Sequence, residues 1–307
     1  MGKVSQKWHS LGHTVASFDY DYSKENMDFL SVSGFLLILY AILNMAPRAL
    51  SLWAPDCGSW GIPCRGTSMR SYINPDGYVA YGFVARANMM ISRLTLCLLV
   101  VVSQSCFYLL EQPAPSLLVR HKRFEWFCNR VAWVFFTRFW MLHHGGSSSK
   151  RSVFWGNLSA MNALDKGKMT HAERMAKTTV KTTRSYFDKA GRRRFVGQKK
   201  ELKSTQAYPE GLGQSLHDIY MEELKRPPRG DLRVNLTPDH EKSPVQLFTQ
   251  LPLGDCWRDA DLLPVFEYVY KCRHTRIPDE WQSVMSNFHK ELETRQHKGP
   301  SFQKNEC

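Results

Sequence analysis

The chain has 307 residues, 43% of them hydrophobic, with a formal net charge of +13 and a pI near 9.4. That apolar content excludes a wholly disordered chain and permits a sizeable core. A balance this basic points to polyanion or membrane-surface contacts and is silent about fold.

The first residues, MGKVSQKWHSLGH, lack the apolar stretch of a signal peptide. Gln6 stands where a myristoylation signal has Ser or Thr. Thr14 to Phe18 (TVASF) is a short apolar run ending at Asp19 and predicts a buried strand. Phe35 to Met45 predicts a buried helix, with Asp28 as a plausible cap and Pro47 as its stop. Ala49 to Ala54 (ALSLWA) predicts a second buried strand, ended by Pro55.

Residues 56–79 are rich in Gly, Pro, Ser and Asn, and long loops inside domains are usually functional or disordered. Val84 to Val102 predicts a long helix, and Cys106 to Leu110 (CFYLL) a third strand followed by Glu111, Gln112 and Pro113. Ser116 to Phe127 suggests an amphipathic helix, and Val131 to Met141 an aromatic strand. Arg151 to Trp155 is a final strand after a Gly/Ser turn.

Beyond residue 160 the apolar runs vanish until Val265. From Asp165 to Lys203 there are 13 Lys and Arg against 4 Asp and Glu. The stretch 161–254 reads as a basic, mostly disordered linker, and 255–307 as a small helical segment carrying Trp281, Val284 and Phe288 at helical spacing. Residues 1–160 form the folded unit. The expected fold class is α/β: a partial Rossmann-like parallel sheet with flanking helices and right-handed crossovers. In such sheets ligands gather beyond the carboxyl ends of the strands, where Asp19, Cys57 and Glu111 fall.

Two apolar stretches, 29–46 and 94–110, have about the length of a minimal membrane span. The second holds Ser103, Gln104 and Ser105, costly in lipid and better read as a break between a helix and a strand. The eight cysteines form no CxxC pair and no zinc spacing, which favours a reduced compartment. The expected location is intracellular, nuclear or cytoplasmic, with membrane association as the alternative. His143 and His144 have no acidic or thiol partner near in sequence, so no metal site is expected. Asn157 and Asn235 begin glycosylation sequons that matter only in a secreted protein.

The order of short motifs carries a resemblance. Gly34 to Leu37 is GFLL, Pro55 to Ser59 is PDCGS, Arg65 to Ser68 is RGTS, Asn88 to Arg93 is NMMISR and Leu110 to Pro113 is LEQP. Over roughly residues 12–160 the chain resembles the class I S-adenosylmethionine-dependent methyltransferase fold, nearest to the cytosine-C5 DNA methyltransferases. It is also similar to a group of algal and protist proteins with the same motif order. The resemblance implies Cys57 as nucleophile, on a turn where it can approach a flipped base. It implies Glu111 as the acidic contact to that base, and Asp19 and Asp28 as contacts to the cofactor's ribose and adenine. The strand and Gly-rich loop that cradle S-adenosylmethionine do not occur in this sequence, and Pro-Asp-Cys and Glu-Gln-Pro replace the usual Pro-Pro-Cys and Glu-Asn-Val.

The expectation is therefore a degenerate, catalytically inactive relative that binds nucleic acid. Arg65 and Arg70 are candidate phosphate contacts. Arg192, Arg193, Arg194, Lys199 and Lys200, interleaved with Tyr186, Phe187 and Phe195, supply charge and stacking for nucleic acid through residues 165–203. A non-catalytic scaffold and a membrane-associated protein are the alternatives.

Overall fold

Four of the apolar runs join in one sheet. The computed structural model describes residues 2–131, 134–197, 201, 203 and 205–227. The strands are β1 (Leu50–Trp53), β2 (Phe107–Pro113), β3 (Phe135–Trp140) and β4 (Arg151–Gly156), in the order β1-β2-β4-β3. β1 and β2 are parallel, with Leu50 opposite Phe107. β4 runs antiparallel to both β2 and β3. The architecture is mixed α/β with a mixed sheet.

The expected partial parallel sheet is met by β1 and β2 and corrected at β4, which is antiparallel to both its neighbours. Only ten residues connect β3 to β4, fewer than a parallel crossover needs, so the pair forms an antiparallel hairpin. A second correction concerns Thr14 to Phe18, which is not a strand. Its backbone has no strand partner; instead the Phe18 ring meets Phe29 edge-on, with centroids 6.4 Å apart.

The helices are α1 (Lys3–Ser10), α2 (Val32–Leu43), α3 (Arg65–Ser68), α4 (Gly82–Ser103), α5 (Lys122–Arg130), α6 (His171–Lys177) and α7 (Glu210–Lys225). Alternation along the strands divides the sheet into two apolar faces. Tyr108, Leu110, Val153 and Trp155 face one core with Phe35 and Leu39 of α2, the apolar side of α4, and Phe124 and Phe127 of α5. Leu109, Phe139 and Phe154 face a second core with Leu212, Leu216 and Ile219 of α7, joined by Val4 and Trp8 of α1. Each face is thus covered by helices, and the interior strands β2 and β4 are apolar on both sides.

α2 is capped by Ser31, whose side chain accepts from the Gly34 N–H, rather than by Asp28. Gly34 is required there, because a Cβ would lie 2.0 Å from the Asp28 carbonyl oxygen. α4 is long and apolar enough to cross a membrane by length and composition, yet 67% of its most apolar window is buried within the protein. The stretch 94–110 divides as its polar residues predicted, with α4 ending at Ser103 and β2 starting at Phe107.

Residues expected as a disordered linker instead contain α6, α7 and a hairpin of β5 (Thr183–Phe187) and β6 (Arg193–Gly197). The buried side of α7 shows why: Leu212, Leu216 and Ile219 recur at helical spacing among polar neighbours. The helical segment expected within 255–307 lies outside the described residues, as do Lys199 and Lys200.

Candidate functional site

Cys57 lies in the turn that leaves β1. Asp56 shapes that turn by accepting from the Gly58 N–H at 2.9 Å, and the Trp60 N–H closes it on the Cys57 carbonyl at 3.1 Å. Glu111 is not beyond the end of β2, as expected, but inside it, opposite Phe154 of β4. The neighbouring residue joins the two. Gln112 Nε2 donates to the Pro55 carbonyl at 2.8 Å, and Gln112 Oε1 accepts from the Ser116 hydroxyl at 3.0 Å. The Gln of Glu-Gln-Pro therefore fixes the Pro-Asp-Cys turn against the adjacent parallel strand.

Glu111 is buried on the sheet face covered by α7. Two residues that sequence reasoning missed meet its carboxylate. Lys150, at the end of the Gly/Ser turn before β4, places Nζ 3.3 Å from Oε1, an ion pair without hydrogen-bond geometry. Tyr208, just before α7, donates its hydroxyl to Oε2 at 3.0 Å. Lys150 and Tyr208 also line a cleft of about 140 Å³, together with Lys3, Ser147, Ser148 and Thr205. The turn signal around Gly145 and Gly146 was visible in the sequence. Tyr208 carries no local signal, because it stands alone among polar and small residues.

The Cys57 thiol shares this electrostatic environment. Burial pushes its pKa up; the Lys150 charge opposes this, while Asp56 and Glu111 add to it. The group is a thiol at neutral pH, not an activated thiolate. Burial, with Glu111 as hydrogen-bond acceptor, raises the Tyr208 pKa far above the usual phenol range, so Tyr208 remains a donor. The arrangement is a buried acceptor flanked by an ammonium and a phenol, with a neutral thiol on the same rim. The raised thiol pKa does not favour nucleophilic attack by Cys57.

The other sequence candidates lie elsewhere. Asp19 sits in an exposed turn, accepting from the Asp21 N–H at 2.9 Å. Asp28 accepts from the Leu30 N–H at 2.9 Å. Neither ends a strand of the sheet. Arg65 lies over the Tyr72 ring at 5.3 Å.

Arg70 is turned inward rather than towards phosphate. It donates to the Pro75 carbonyl at 2.7 Å, Asn88 Oδ1 at 2.8 Å and Ser59 Oγ at 3.1 Å, and stacks on Trp60 at 3.4 Å. Burial pushes its guanidinium down to about 10. His144 makes contacts through both ring nitrogens, with Ser215 Oγ and the Leu164 carbonyl. Among the described residues no group of three or more His, Cys, Asp or Glu is placed to hold a metal.

Arg192, Arg193 and Arg194 belong to the exposed β5–β6 hairpin. Its base is tied to the candidate site: the N–H groups of Thr179 and Val180 both donate to the Ser147 carbonyl at 2.9 Å, three residues before Lys150. No protein-family model matches the chain, and neither a curated protein nor a solved structure is significantly similar to it.

Proposed function

We propose that this chain is a degenerate, methyltransferase-like protein that binds nucleic acid without transferring a methyl group. One observation carries the reading. A Pro-Asp-Cys turn and a Glu-bearing strand, adjacent and parallel, converge on one buried polar rim. This pairing is what the resemblance to the cytosine-C5 DNA methyltransferases implies for Cys57 and Glu111. A Rossmann-like ancestry is compatible with the mixed sheet, since doubly wound sheets often carry antiparallel strands.

The roles then follow from the groups present. Glu111 accepts from an exocyclic amine or ring N–H of a base. Lys150 and Tyr208 hold its carboxylate in place between ligands. Cys57 lines the rim as a small neutral side chain. No step in this reading runs through S-adenosylmethionine.

The test is fluorescence anisotropy with a labelled DNA duplex at several salt concentrations. Glu111→Gln weakens binding about tenfold, the size of one base-edge hydrogen bond, and leaves the salt slope unchanged because every phosphate neighbour is retained. Absence of wild-type binding, or unchanged affinity of Glu111→Gln, overturns the reading.

A further inference from the structure

The β5–β6 hairpin is an unusual surface. Among the described residues no other helix or strand packs closely on either strand. A two-stranded hairpin alone is marginal in water, so its turn needs local support. Asp188 provides it, accepting at Oδ1 from the N–H groups of Ala190 at 3.0 Å and Arg192 at 2.9 Å. Gly191 takes the left-handed backbone the turn requires, with φ +70°. The side chains of Arg192 and Arg194 close on the other Asp188 oxygen at 3.3 and 2.9 Å.

From Lys181 to Gly197 there are six Lys and Arg and one acid, Asp188. Register distributes these charges over both faces. Arg184 pairs with Val196 and Tyr186 with Arg194 on one face, while Phe187 pairs with Arg193 on the other. Lys189 and Arg192 stand at the tip. Tyr186 and Phe187 are exposed, Phe187 by 71%.

We infer that this ribbon enters the major groove of a B-form DNA duplex. The inference rests on the nucleic-acid reading above and names its partner. Cations on both faces and at the tip match the two phosphate rows that wall a groove. A flat anionic membrane would instead favour one basic face over one apolar face. Two strands about 4.8 Å apart, with their side chains, suit the ~12 Å major groove of B-DNA. The major groove of A-form RNA is too narrow and deep to admit side chains in this way. The Ser147 tether places the base of the ribbon beside the Lys150–Glu111 pair, so a duplex held by the ribbon lies against the same rim.

The test uses the full chain, a labelled DNA duplex, a single strand of the same sequence, and phosphatidylserine vesicles. Exchanging Arg184 and Arg193 together for Gln reduces duplex affinity at least tenfold and lowers the salt slope by about 2, close to 0.9 for each phosphate no longer neutralised. Exchanging both for Lys retains the slope, which separates loss of charge from loss of the hairpin. Three results overturn the inference: unchanged slope in the Gln variant, tighter binding to the single strand than to the duplex, or ribbon-dependent binding to vesicles alone. If Glu111→Gln weakens duplex binding and the Gln variant does not, the ribbon inference fails alone. If neither has an effect, both readings fail.

Discussion

Tyr208 donates its hydroxyl to Glu111 Oε2 at 3.0 Å, joining the segment before α7 to the middle of β2. The bond spans 97 residues of sequence and covers the carboxylate from the helical side of the sheet. Removing the hydroxyl leaves a buried oxygen short of a donor, at a cost of about 1–3 kcal/mol. Tyr208→Phe is therefore expected to lower the urea midpoint with an unchanged m-value. A midpoint equal to wild type would mean that the bond contributes nothing.

Cys57 reports on the same cluster. Its thiol ionises above the usual range because of burial first, and its neighbours push in opposite directions. Glu111→Gln removes a negative charge that disfavours the thiolate, so the alkylation midpoint moves to lower pH. Lys150→Ala removes a favourable cation, so the midpoint moves up. Mass spectrometry of the Cys57 peptide after timed iodoacetamide treatment measures both, and shifts of the same sign would refute the shared environment.

Much of the sheet was legible in the sequence. The runs ALSLWA, CFYLL and RSVFW became β1, β2 and β4 because strands buried on both faces, or nearly so, are continuous in apolar character. Strand direction is less legible than strand position. Alternating strands and helices suggested parallel pairing, but the ten-residue β3–β4 connection permits only a hairpin. Of the site, Cys57 and Glu111 were visible as chemistry-bearing residues, although Glu111 lies inside β2 rather than past its end. Their partners were not, since Lys150 and Tyr208 reach Glu111 through tertiary packing rather than local pattern.

Arg70 reads from sequence as a candidate phosphate contact, yet its guanidinium joins its loop to α4 through Asn88. Arg70→Leu strands several buried acceptors and is expected to cost on the order of 3 kcal/mol, read by chemical denaturation. The folded fraction of the variant should bind DNA with an unchanged salt slope. A lower slope would restore Arg70 as a phosphate contact.

Stability should fall in mild acid because of His121. Burial, then the charges of Arg123, Arg70 and Lys122, push its pKa down to about 3, and Asp76 at 3.9 Å from Nε2 does not offset them. The unfolded chain takes up this proton near pH 6.5, whereas the folded chain does so only near 3. Between those values the unfolded state binds more protons, so stability declines as pH falls, by up to ~1.4 kcal/mol per pH unit from this group. Denaturation curves from pH 7 to pH 4 should be flatter for His121→Gln. Equal slopes for the two proteins would contradict the assignment.

S-adenosylmethionine separates a binding protein from an active enzyme. With Asp19 and Asp28 held in local turns, calorimetric titration of the full chain should give no saturable heat. Saturable binding would show that the cofactor is held by residues other than those the resemblance named.

The most direct measurement is photo-cross-linking of a DNA duplex carrying 4-thiothymine, followed by peptide mapping. Nucleic-acid binding at the rim and along the ribbon predicts cross-links in two places, residues 181–197 and the rim formed by residues 56–60, 147–150 and 205–208. Cross-links confined to other surfaces, or none above a bare-DNA control, would contradict it.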